Sequence, residues 1–166
     1  MKIKYSPNSF KDYIVLISSI VICNLTGVVG ALTTQTGLSI WYTELAKPFF
    51  NPPNWIFGPV WTILYILIGV SIYLVYKNHK IKNKIKNRIY VLFLIQLILN
   101  GIWTPVFFGM QEILLGFIII LLLDIFLFII AYFYHKYNRI SFYLWIPYIL
   151  WVSFAMILNL SIYILN

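Results

Sequence analysis

The chain has 166 residues, of which 62% are hydrophobic, 19% aromatic and only 10% charged. A soluble domain carries roughly 25% charged residues, so this composition excludes a soluble enzyme, a disordered protein and a nucleic-acid-binding domain. The formal net charge of +8 does not bring nucleic acid back, because the basic residues sit between apolar runs. What remains is an integral membrane protein with a single domain over residues 1–166.

A bilayer core of about 30 Å takes about 20 apolar residues as a helix. Five runs meet that length: residues 13–32, 55–76, 89–108, 113–134 and 142–165. Backbone groups in lipid must bond internally, and period-2 alternation is absent, so the runs are helices and a β-barrel is excluded. The expected fold class is an all-α bundle of five transmembrane helices.

The first run follows a basic segment, but it exceeds the 7–15 apolar residues of a signal peptide. It is read as a retained helix. Gly27 and Gly30 would let a neighbour approach closely, with Asn24 and Thr26 facing the bundle. The lone Cys23 permits no intrachain disulfide and suits a small core position.

The connection over residues 33–54 is long. It holds Trp41, Tyr42, Phe49 and Phe50, a stretch with helical potential near Ser39 to Ala46, and then Pro48, Asn51, Pro52 and Pro53. Proline fixes φ and restricts the residue before it, so this is expected to be an ordered lid. Trp41 and Tyr42 also suit anchoring at headgroup depth. Asn54 is the expected N-cap of the second helix.

The connection over residues 77–88 carries Lys77, Lys80, Lys82, Lys84, Lys86 and Arg88. The N-terminal segment, this connection and the Lys136/Arg139 turn sum to +2, +6 and +2, against 0 for Glu44 with Lys47 and −1 for Glu112. The positive-inside rule then puts the N-terminus in the cytoplasm and the C-terminus outside, and the shortness of the chain points to a bacterial cytoplasmic membrane. The basic stretch is a topology anchor that attracts anionic headgroups.

Pro59, Pro105 and Pro147 fall within or near the ends of three runs and are expected to kink them, with Thr62 and Thr104 bonding freed carbonyls. Asp124 is the one acid deep in a run and must be protonated or meet a polar partner. His79 and His135 lie at the basic end, and no cluster has metal-ligand spacing. No paired carboxylates, Ser-His-Asp set or phosphate loop is present.

Residues three and four apart share a helix face. Trp61 with Tyr65 forms one such stripe. Gln96, Asn100, Trp103 and Phe107 form a second, and Trp151, Ala155, Leu158 and Asn159 a third. Each stripe alone also suits helix packing. Three stripes under a lid suit a cavity for a flat apolar ligand, with tryptophan faces for stacking and Tyr65 and Asn100 for hydrogen bonds. The ligand-binding set is therefore Trp41, Trp61, Tyr65, Asn100, Trp103, Phe107, Trp151, Ala155 and Leu158.

Residues 41–65 carry Trp41, Tyr42, Leu45, Lys47, Pro48, Asn51, Pro52, Pro53, Trp55, Phe57, Pro59, Trp61, Thr62 and Tyr65, in an order that strongly resembles the TspO/MBR family of translocator proteins, or peripheral-type benzodiazepine receptors. Gln96 to Gly109 resembles the family's third helix, and Pro147 to Asn159 its fifth. The resemblance implies a five-helix bundle, often a homodimer, that binds protoporphyrin or haem as ligand with no required cofactor. It also implies possible sterol and benzodiazepine-type ligands, and some bacterial members are reported to degrade protoporphyrin in light. A membrane receptor or sensor for tetrapyrroles is the expected function. The alternatives are a light-dependent enzyme using Trp61 and Trp151 as redox-capable rings, and a lipid or small-molecule transporter. Unlike the animal proteins, this chain has nothing basic after Leu158. The stretch Val70 to Lys77 fits the loose sterol pattern instead.

Overall fold

The structure is a computed structural model and describes residues 9–37 and 41–166. Its elements are α1 (Phe10–Gly37), a one-turn helix α2 (Trp41–Glu44), α3 (Asn54–Lys77), α4 (Asn83–Thr104), a π-helical turn (Pro105–Gly109), α5 (Ile113–Tyr137) and α6 (Arg139–Leu165). Among the described residues, five helical spans are long and apolar enough to cross a membrane, the π turn extending the span that α4 begins. The chain is thus an all-α, multi-pass membrane protein.

The five long helices close into a ring. α1 packs on α3, α3 on α6, α6 on α5, α5 on α4, and α4 back on α1. Trp145, Tyr148 and Tyr134 are fully buried within it. The outward faces carry aliphatic side chains such as Ile118, Leu122 and Ile125, all exposed as lipid-facing positions should be.

Several helix boundaries differ from the expectation. α1 continues through residues 33–37 to Gly37, which shortens the lid connection from its N-terminal side. Nothing in that polar stretch breaks a helix, so hydropathy ends before the helix does. Lys2, Lys4 and residues 38–40, which include Ser39, lie outside the described residues. Asn54 is the first helical residue and not the cap; Pro53 takes the cap position, without any side-chain cap bond. α4 starts at Asn83, six residues before the apolar run. Lys84, Lys86 and Arg88 are good helix formers, and Ile85 and Ile89 fall one turn apart. The basic stretch is therefore mostly helix. Lys77 is no loop charge either: it ends α3 and makes a buried ion pair with Asp12 of α1. Lys136 and Arg139 likewise belong to α5 and α6, which are joined through Asn138 alone.

Pro59 and Pro147 sit inside α3 and α6. The Thr62 hydroxyl donates to the Gly58 carbonyl at 2.9 Å, not to the Trp55 carbonyl that Pro59 leaves free. Pro105 has the largest local effect. It has no N–H to continue the α-helical ladder, and the chain widens into a π turn in which Met110 N–H donates to the Pro105 carbonyl at 2.9 Å.

One contact sets the distance between α1 and α3. The Ser19 hydroxyl donates to the Gly69 carbonyl at 3.0 Å, and a Cβ on Gly69 would lie 2.7 Å from the Cα of Ile20. Only glycine allows this backbone approach. At the basic end the helices are pinned to one another's carbonyls. The Asn138 amide donates to Leu74 at 3.0 Å, the Ser141 hydroxyl to Ser71 at 2.8 Å, and the Asn78 amide to Tyr137 at 3.2 Å.

Candidate functional site: an aromatic cavity beneath the α2 loop

At the opposite end the ring is not filled. A cavity of about 410 Å³ lies between α1, α3, the end of α4, the π turn and α6, with Tyr42 of α2 at its edge. This is within the range of small-molecule sites.

The wall is aromatic because the stripes converge there. Trp61 stacks on Tyr65 at 5.5 Å between centroids and tilts toward Trp103 at 6.5 Å. Trp103 stacks on Phe107 at 5.9 Å. The π turn brings the adjacent Phe107 and Phe108 both onto the wall, their rings edge to face at 4.8 Å. π turns are frequent at functional sites. From α6, Ala155, Leu158, Asn159 and Ile162 complete the lining. Gly27 lies against the Tyr65 ring, which occupies the space a Cβ would need.

Polar groups are held in two chains. The Tyr65 hydroxyl donates to Asn100 Oδ1 at 2.6 Å, Asn100 Nδ2 donates to the Tyr148 hydroxyl at 3.0 Å, and that hydroxyl donates to Gln96 Oε1 at 2.9 Å. The Trp103 indole donates to Asn159 Oδ1 at 3.2 Å, and Asn159 Nδ2 donates to the Ile113 carbonyl at 3.0 Å. The first chain fixes the angle of Tyr65 and the second those of Trp103 and Asn159. Asn24, Asn54, Thr62 and Thr104 add amides and hydroxyls to the lining.

The α2 loop is ordered by its own bonds. The Tyr42 hydroxyl donates to Asn51 Oδ1 at 3.0 Å, Asn51 N–H donates to the Pro48 carbonyl at 3.0 Å, and the Lys47 ammonium sits 4.7 Å from the Tyr42 ring centroid. Burial pushes the Tyr42 hydroxyl up to about 12. Asn166 clasps the loop from the C-terminal end, its amide exchanging two 3.0 Å bonds with the N–H and carbonyl of Ala46.

Of the residues singled out in the sequence, Trp61, Tyr65, Trp103, Phe107, Ala155 and Leu158 line the cavity. Asn100 sits one layer back, behind Tyr65. Trp41 meets Phe107 edge-on at 5.8 Å from outside the wall. Trp151 packs on Phe57 at 5.8 Å and Phe154 at 5.7 Å, with its indole N–H buried and unpartnered. Pro48, Asn51, Pro52 and Pro53 shape the loop and do not line the cavity themselves, Asn51 meeting the lining only through its bond with Tyr42. Val28, Phe57, Gly58, Phe108 and Ile162 were missed, and Tyr42, Asn54, Thr62 and Thr104 line the cavity although they were read as an anchor, a cap and partners of freed carbonyls. Phe57 was within reach, since it falls one turn before Trp61; Phe108 was not, because only the π turn presents it. Asp124 accepts from the Ser153 hydroxyl at 2.9 and 3.1 Å, a packing bond between α5 and α6 away from the cavity.

A model of the TspO/MBR family matches residues 19–165. The chain belongs to the TspO/MBR family. It is 41% identical over 152 residues to the tryptophan-rich protein TspO of Archaeoglobus fulgidus, covering 91% of this chain and 96% of that one. It is 27% identical over 155 residues to the tryptophan-rich sensory protein of Cereibacter sphaeroides, covering 93% of each. It is 31% identical over 125 residues to the human translocator protein, covering 74% of this chain and 73% of that one. The TspO/MBR match takes in all the cavity-lining residues, from Asn24 to Ile162.

Proposed function

We propose that this TspO/MBR protein is a membrane receptor or sensor that holds a tetrapyrrole, protoporphyrin or haem, in the aromatic cavity, and works as a homodimer. The observation that carries the reading is the wall itself. Trp61, Trp103 and Phe107 present a continuous run of rings, while Asn24, Thr62 and Thr104 supply hydrogen bonds at its margin. The described lining residues offer neither charge nor imidazole nor thiol, so the macrocycle is held by stacking and edge hydrogen bonds. The test is a titration of the purified protein with protoporphyrin, haem and a sterol. Saturable porphyrin uptake, weakened in Trp61→Ala and Trp103→Ala at unchanged helicity, is the expected result. Uptake no greater than that of empty detergent micelles rejects the reading. Pigment loss in light should track occupancy; turnover beyond one porphyrin per chain points to an enzyme instead.

The charge sums support a cavity on the outer side of a bacterial cytoplasmic membrane. In a Cys23→Ala background, an impermeant thiol reagent added to intact cells should label Thr43→Cys and spare Lys82→Cys. The reverse pattern overturns the orientation.

A further inference from the structure

A second groove opens at the basic end, between α1, α3 and α4. It holds about 200 Å³ and is lined by Val15, Ser19, Ile72, Tyr73, Tyr76 and Tyr90. We infer that this groove seats one acyl chain of an anionic glycerophospholipid, with the phosphate of its headgroup drawn to Lys86. The interior of the groove is apolar, which suits a hydrocarbon chain. Its rim is cationic: the Lys86 ammonium donates to the Tyr76 carbonyl at 2.6 Å, on a residue that lines the groove. Lys80, Lys82, Lys84 and Arg88 are exposed around the same end. Tyr73 adds an independent observation. Its ring lines the groove, and its hydroxyl is buried with no hydrogen-bond partner.

The occupant is a phospholipid rather than a sterol because of Lys77. The sterol pattern over Val70 to Lys77 needs that ammonium free, yet it is buried against the Asp12 carboxylate. The cation at the rim belongs instead to α4, at the level where a phosphate lies.

Native mass spectrometry of the full chain, loaded separately with phosphatidylglycerol and with phosphatidylcholine of identical acyl chains, tests the assignment. The wild type should retain one phosphatidylglycerol about fivefold more tightly than phosphatidylcholine, the worth of one basic side chain at an anionic headgroup. Lys86→Gln should bring the two lipids to parity, Val15→Trp should expel both by filling the groove, and Lys82→Gln should leave the preference intact. Circular dichroism confirms that each variant is folded, and Lys86→Gln carries the test if Val15→Trp is not. Equal retention of both lipids by the wild type, a preference that survives Lys86→Gln, or displacement of phosphatidylglycerol by an equimolar sterol overturns the proposal.

Discussion

At the basic end of the bundle, Asn138, Asn78 and Ser141 reach across to backbone carbonyls of neighbouring helices. At the α2 end, Asn24 turns its amide back onto the Ile20 carbonyl of its own helix at 2.9 Å, and Asn159 orients the Trp103 indole. Both ends are rich in aromatic rings. At the first, Tyr134 and Trp145 meet edge to face at 5.2 Å and fill the ring of helices; at the second, Trp61, Trp103 and Phe107 leave it open. Aromatic content therefore does not decide whether a bundle has a cavity. Polar side chains bond across helices at both ends, Asn159 to the Ile113 carbonyl among them; the difference is that at the basic end Tyr134 and Trp145 fill the centre of the ring, whereas at the α2 end the rings stand along its wall.

The sharpest way to break the closed half is at Gly69. A side chain there meets the α1 backbone, not a flexible group, so α1 must move away from α3. Gly69→Leu is expected to cost 3 kcal/mol or more, at the upper end of about 1–3 kcal/mol for overpacking a core. Thermal unfolding in detergent should show loss of the folded state or a large fall in melting temperature. A melting temperature within a degree or two of wild type refutes this role.

The open half is tested by its rings. Trp61→Ala and Trp103→Ala each remove a stacking face on the wall and should weaken porphyrin affinity about tenfold, equivalent to about 1.4 kcal/mol. Trp151→Ala should change it less than about threefold, because that ring does not line the cavity and packs behind Phe57 and against Phe154. Equal losses at all three positions in a titration would make the wall wider than the structure draws it.

The contrast between Trp61 and Trp151 also shows what the sequence could tell. Periodicity of three and four put both on inward stripes, and both are inward. Periodicity does not say which inward rings reach the cavity, and Trp151 packs behind the lining residue Phe57. The five spans were legible because lipid demands long apolar runs. Helix ends were less so: α1 and α4 continue through polar residues that have no reason to stop a helix. The ring order of the helices, and the pairing of Ser19 with Gly69, depend on packing between elements that no local pattern encodes. The π turn was legible only as a proline, not as the device that exposes Phe108.

Asn138 separates stability from binding. Its side chain accepts from Ser141 N–H at 3.4 Å as the cap of α6 and donates to Leu74 of α3. Asn138→Ala should cost about 1–2 kcal/mol in thermal or denaturant unfolding, from a lost cap and a lost inter-helix bond to the Leu74 carbonyl, which keeps the Asn78 N–H as its other donor. Porphyrin affinity should stay within about twofold of wild type, since the site lies at the other end. A tenfold loss of affinity would mean that the two ends are coupled.

The smallest effect is expected at Tyr42, where the loop meets the cavity. Its ring contacts Phe107 and Phe108 at 6.3 and 5.3 Å, so Tyr42→Phe keeps the packing and removes only the hydroxyl bond to Asn51. One such bond is worth about 1 kcal/mol, so stopped-flow displacement should show porphyrin leaving the variant about fivefold faster. The pH dependence follows from burial. A free tyrosine loses its proton near pH 10 and the folded Tyr42 near 12. Between those values the folded state holds the extra proton, so the group's contribution to stability falls as pH rises through the window. Below it the hydroxyl remains a donor, and the difference between wild type and variant should be constant. Near pH 12 the wild-type donor is lost and its release rate should climb toward that of Tyr42→Phe. Equal release rates at about pH 8 would show that Asn51 and the proline turn hold the loop without Tyr42.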